Sequence, residues 1–257
     1  MYQILYVAIS LQFIIASKCE TLPESITKCH YGDNRCVRLT INEVIEKFPK
    51  GIPVIGMKAM DVVKLPNVQF ANNDELNDFW FKLKLYNQSI YGFENTVISE
   101  AKGFVKDPTS AEIKIRGVIP KLVCAGNYDA KGRMLWMLNI NATGVSKSEL
   151  SHVLFRMALK VQTEYRNNKR YLKINELTPN IGIDRWQMWF DNFFPKNPAL
   201  TTVINTIFNE NWSEIWKELE NPILLIFTNV FLSMLRSIFD NVPYDDLFIS
   251  KNDTKQL

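Results

Sequence analysis

Four cysteines and two histidines are the groups of this 257-residue sequence whose chemistry can be argued from type and spacing. Cys29 and Cys36 flank a short polar loop, HYGDNR. In an oxidising compartment we expect the pair to bond, closing a small ring that staples the entry to the next helix more than it restrains the whole chain. Cys124 then has only Cys19 as a partner, and only if Cys19 survives processing; a buried free thiol behaves as a small hydrophobe. Hydrolysis by a serine or cysteine needs a base beside the nucleophile. His30 lies in the stapled loop and His152 at the start of a predicted strand, and both read as exposed and idle. The motifs G-x-S-x-G, H-E-x-x-H, C-x-x-C, the P-loop and G-x-G-x-x-G are absent. The common hydrolytic, metal and nucleotide chemistries therefore lack their parts. Asp245–Asp246 reads as a solvated helix exit. We expect no enzyme, no metal and no cofactor.

The net charge of +3 is too small to argue for nucleic acid. The chain opens with an apolar run from Ile4 to Ala16 that ends in small residues. We read residues 1–19 as a signal peptide, cleaved after Ser17 or Cys19, and residues 20–257 as one secreted domain. Four N-x-S/T triplets, at Asn87, Asn141, Asn211 and Asn252, fit a secreted glycoprotein.

The elements that must position any site come next. A helical pattern runs from Asp33 to Phe48 and ends at FPKGIP. Residues 79–85, 111–116 and 153–164 alternate apolar and polar side chains, as half-buried strands of an antiparallel sheet do. Residues 134–142 do the same, with Met134, Trp136, Leu138 and Ile140 inward; Leu122 and Cys124 point inward opposite Lys121. AGNYDAKGR and YRNNKRY read as turn-bearing connections.

After Pro198 the chain is helical to its end, with Pro222 expected to kink or restart the helix. From Ile223 to Phe239, the residues Asn229, Ser233, Arg236 and Ser237 fall within an arc of roughly 100°, and apolar residues fill most of the rest. A surface helix would show a narrower stripe, and a membrane span would not carry Arg236 in its last turns. The helix should therefore lie inside a curled sheet.

Five stretches carry a resemblance: Cys29…Cys36, KGIPVIGMKAMDVVKLPNV, GVIPKLVCAGNYDAKGRMLWMLNINATG, NENWSEIWKELENPI and IFDNVPYDDLF. Together, and in this order, they resemble the takeout and juvenile-hormone-binding protein family of insects. The resemblance implies an α+β fold: a long C-terminal helix wrapped by a strongly curved antiparallel sheet around a hydrophobic tunnel, with a short N-terminal helix. It also implies a secreted carrier of small lipophilic ligands, such as terpenoid hormones or fatty-acid-like molecules. Two departures tilt the chain towards the takeout-like branch. Cys124 replaces an expected aliphatic residue, and the cysteines for a second disulfide are missing.

A carrier needs cavity walls. Phe79, Phe81, Leu122, Met134, Trp136, Leu138, Phe155 and Met157 from the sheet, with Phe227, Phe231, Met234 and Leu235 from the helix, are the expected lining. Tyr128, Tyr165 and Arg236 are candidates to orient a ligand's polar group. Entry is expected near the stapled N-terminal helix, where Leu39 and Phe48 sit. The expected partner is a small lipophilic ligand bound by a monomer. The runner-up reading is a lipid-transfer or signalling protein that docks to a membrane or cell-surface receptor through Trp80, Leu135, Met137, Trp186 and Trp189.

Overall fold

The computed structural model describes residues 22–72, 80–134 and 138–249, with the backbone alone for Asn72, Met134 and Leu138. Residues 1–19, read above as a signal peptide, and Phe79, Leu135, Trp136, Met137 and Asn252 lie outside the described residues.

Two very long strands form the spine. β5 (Ile113–Met134, 22 residues) and β6 (Leu138–Arg166, 29 residues) run antiparallel, in one register from Ile113 opposite Leu159 to Met134 opposite Leu138. The AGNYDAKGR stretch, expected to turn, lies within β5, where Gly126 pairs with Ser146 and Asp129 with Thr143. The first of its two glycines answers a crowding problem instead: a Cβ on Gly126 would come within 2.7 Å of the Gln88 side chain. YRNNKRY does turn, because Asn167 and Asn168 take φ of 49° and 60°, the left-handed pair that a two-residue hairpin requires.

Shorter strands extend the spine on both sides. β3 (Trp80–Tyr91) and β4 (Val97–Lys102) share the outer edge of β5, while β7 (Lys169–Gly182) and β8 (Arg185–Phe190) share that of β6. β1 (Val63–Lys64) and β2 (Val68–Asn72) pair with the far edge of β3. The result is one eight-stranded antiparallel sheet that is not closed into a barrel. Its inward face changes parity in mid-strand. Ile113, Ile115 and Ile119 are buried in β5 before Pro120, and Leu122, Tyr128 and Ala130 after it. In β6 the switch falls at His152, between buried Ser146 and buried Val153.

Three helices cover the inner face. In α1 (Asn34–Lys47), the Asp33 carboxylate accepts from the Cys36 amide, capping the first turn beside the disulfide. α1 packs on β4. α2 (Pro198–Glu210) lies against β8. Its Asn205 and Asn209 side chains each exchange two hydrogen bonds with the backbone, at Phe190 and Met188 respectively. These two amides act as a surrogate strand, satisfying an edge that would otherwise present open donors and acceptors.

α3 (Trp212–Phe239) runs 28 residues on β7 and β8. Pro222 lies inside it and does not restart it; the break falls about three turns earlier, at Asn211, which ends α2 and starts α3. Burial of Ile223, Phe227, Val230, Phe231 and Phe239 on the sheet holds the helix through its proline. By length and composition alone α3 would also pass as a membrane span. Here Leu225, Asn229 and Arg236 are exposed, and most other residues of its second half are buried or half-buried.

The buried side chains form two clusters. The larger joins α1, β4, one half of β5 and β6, β7 and α3; the smaller joins Tyr128, Ala130, Ile140, Ala142, Met188, Phe190, Phe193 and Ile204 beneath α2.

Candidate ligand cavity

Between the two clusters lies a cavity of about 1000 Å³. It is at the upper end of the range for small-molecule sites. Alternation along the strands aims its walls: Phe81, Leu83 and Leu85 from β3, Leu122 from β5, Ile140 and Leu150 from β6, Met188 and Phe190 from β8. α2 contributes Phe208, and α3 contributes Trp216, Leu219, Ile223, Ile226 and Phe227. The charged residues that border it, including Glu214, Lys217 and Glu218 in the first turns of α3, are all exposed, which marks where the cavity meets solvent.

Of the sequence-predicted lining, Phe81, Leu122 and Phe227 border this space. Phe155, Met157 and Phe231 do not; they are buried in the larger cluster, where Phe231 meets Phe155 and Phe227 at ring-centroid distances of 5.3 and 6.0 Å. Met234 and Leu235 are half-buried against the same cluster. The helix wheel gave the apolar side of α3 but not the depth at which solid packing gives way to space.

The polar candidates lie elsewhere. Tyr128 is fully buried and its hydroxyl donates to the Asp191 carbonyl. Desolvation, with the Asp191 charge added, raises its pKa well above the ordinary tyrosine value. Tyr165 is exposed, and Arg236 donates to the Ile174 carbonyl at 3.4 Å, away from the cavity. Trp186 was expected on an outer contact surface. It borders the cavity instead, its indole nitrogen is buried without a partner among the described residues, and it meets Trp216 edge-on at 5.9 Å. Trp80 is half-buried and Trp189 is exposed. Among the described residues the lining includes none from α1, so the stapled end, where entry was expected, does not border this cavity.

Sequence reasoning missed the polar members of the wall. Gln88 sits at a bulge of β3, where the register with β5 shifts between Tyr86 and Ser89 and Asn87 takes a φ of 53°. A bulge re-aims side chains, and Gln88 is turned inward until only 2 % of it is exposed. Its Nε2 donates to the Asn127 carbonyl at 2.9 Å and to Ser146 Oγ at 3.2 Å; its Oε1 accepts from the Cys124 thiol at 3.2 Å. Gln88, Cys124, Ser146 and Ser148 all border the cavity. Burial pushes the Cys124 thiol up from 9.0 to about 11, so it is a neutral donor. The signal that was available is a polar run, NQS at 87–89 and SKS at 146–148, inside otherwise alternating strands.

Cys29 and Cys36 are disulfide-bonded, with Cα atoms 5.7 Å apart. Asn87, Asn141 and Asn211 are exposed, as a glycan acceptor must be.

A curved antiparallel sheet laid around a long helix, with an apolar cavity in the seam, defines the fold class of this chain. The chain belongs to the haemolymph juvenile hormone binding protein family, whose profile matches residues 6–249. It is 23% identical over 229 residues to the circadian clock-controlled protein daywake of Drosophila yakuba, covering 88% of each chain. A Schistocerca gregaria protein provisionally named for beta-carotene binding is 22% identical, with 82% of each chain covered. The crystal structure of Epiphyas postvittana Takeout 1 has the same fold, with a TM-score of 0.71, 22% identity, and 84% of this chain and 96% of that one covered.

Proposed function

We propose that this protein is a secreted, takeout-like carrier that holds one small hydrophobic molecule, a terpenoid or a fatty-acid-like lipid, in the seam cavity and performs no chemistry on it. The observation that carries the reading is the cavity itself: about 1000 Å³ walled by aromatic and aliphatic side chains from β2, β3, β5, β6, β8, α2 and α3. Burying a chain of ten methylenes there is worth roughly 8 kcal/mol before association costs, enough to drive binding with little polar help. The family membership and the locust protein's name, which assigns it a hydrophobic ligand, support the reading. Secretion is supported by the apolar N-terminal run and by the bonded Cys29–Cys36 pair. The test is titration of the purified, delipidated protein with the neutral fluorophore N-phenyl-1-naphthylamine. The carrier reading expects saturable enhancement at one probe per chain, reversed by long-chain lipids; an unsaturable or absent signal contradicts it.

A further inference from the structure

The hydrogen bonds around Gln88 run in one direction. The Asn127 carbonyl can only accept, so the atom 2.9 Å from it must be the amide nitrogen. That places Oε1 against Cys124, whose neutral thiol donates to it, and directs the second amide proton to Ser146 Oγ. Ser146 thus accepts through its oxygen, and its own proton has no acceptor among the described residues. The residue is 6 % exposed and borders the cavity. A buried hydroxyl with an unspent proton is unfavourable by itself, and a chain of aligned donors strengthens its last member. Ser148, two residues along, adds a second hydroxyl to the same wall.

Building on the carrier reading, we propose that the cavity is specific for a lipid bearing an uncharged hydrogen-bond-accepting oxygen, an ester, ketone or ether, which takes the Ser146 proton while the chain lies against the apolar wall. Two features set the charge preference. The buried residues of the lining carry no cation, and Cys124 stays a neutral thiol, so a carboxylate at this depth would lose its hydration with nothing opposite in sign to replace it. The device is built into the sheet: the β3 bulge turns Gln88 inward, and Gly126 leaves the space it fills.

The test is displacement of N-phenyl-1-naphthylamine by methyl tetradecanoate, pentadecane and tetradecanoic acid, with wild type, Ser146→Ala and Ser146→Cys. Loss of one hydrogen bond to a neutral acceptor should weaken ester binding about five- to tenfold in Ser146→Ala while leaving the alkane within about twofold. Ser146→Cys, which keeps a side chain of similar size with a weaker donor, moves the ester in the same direction and guards against a poorly folded alanine variant. Equal loss for ester and alkane, no loss for either, or an acid that outcompetes the ester in wild type overturns the proposal and leaves the carrier reading standing. Failure of wild type to bind the fluorophore or any competitor sinks both.

Discussion

Pro120 and His152 face each other across the β5–β6 hairpin at the point where both strands change which side chains they bury. Ile119 pairs with Val153 and Lys121 with Ser151, so the register is kept while the alternation breaks in both strands together. Pro120 has no N–H to give the ladder, and His152 takes a φ of 52°. The switch lets one hairpin serve two cores, with the cavity at their seam. His152 already bears the cost of a left-handed φ, which a β-branched side chain tolerates least. His152→Val should therefore destabilise by about a further 1 kcal/mol, and His152→Gly, which relieves that cost, should be neutral or mildly stabilising, read from urea unfolding. The exposed contact of the His152 ring with Asp184 at 2.8 Å is too solvated to reverse that order.

The thiol of Cys124 reports on the cavity. Its folded pKa of about 11 lies above the ordinary 9.0, so the fold favours the protonated form. That contribution is intact below pH 9, and declines as pH rises from 9 towards 11. Labelling by iodoacetamide at pH 8 should be slower than for the unfolded chain by about a hundredfold from ionisation alone, rise steeply above pH 9, and slow further once lipid is bound.

The amides of α2 hold one wall in place. Asn205→Ala leaves the Phe190 amide and carbonyl without their partners. We expect a loss of about 2–3 kcal/mol in thermal or denaturant unfolding. Because Phe190 borders the cavity, probe affinity should fall as well.

Phe227 and Phe231, one helical turn apart, separate wall from core. Phe231→Ala removes a ring packed against Phe93, Phe155 and Phe227 and should cost about 3–5 kcal/mol with modest effect on probe affinity. Phe227→Ala should cost less stability, since its ring already borders space, and should weaken probe binding more.

The stapled end is expected to matter for stability and not for entry. Replacing Cys29 and Cys36 by serine opens a loop of seven residues' separation and should cost about 2 kcal/mol. Stopped-flow uptake of the probe should be unchanged in that variant and in Leu39→Ala, since α1 lies outside the lining.

Much of this was legible in the chain. Alternation in residues 153–164 named the buried side correctly, Val153 through Val161, and the odd-outward reading around Asn141 placed Ile140 inside. The α1 limits differ from the pattern by one residue at each end. What the pattern could not carry was continuity. Residues 111–116 read as a strand with odd positions inward, Leu122 and Cys124 as inward at even positions, and AGNYDAKGR as a turn; a single strand with a parity switch at Pro120 leaves that same trace. The cavity was half legible for a related reason: periodicity tells which side faces inward, and Phe81 and Phe231 both do, but only the three-dimensional spacing of α3 from the sheet decides that one meets space and the other meets Phe155. Gln88 was hidden because a bulge inverts the facing that alternation assigns.

Native mass spectrometry of the protein purified from a eukaryotic secretion host, followed by identification of what dissociates, tests the central claim most directly. The account predicts a population carrying a single lipid per chain that is released on activation and carries an uncharged oxygen. A chain that emerges empty, and stays empty after incubation with neutral long-chain esters, would contradict it.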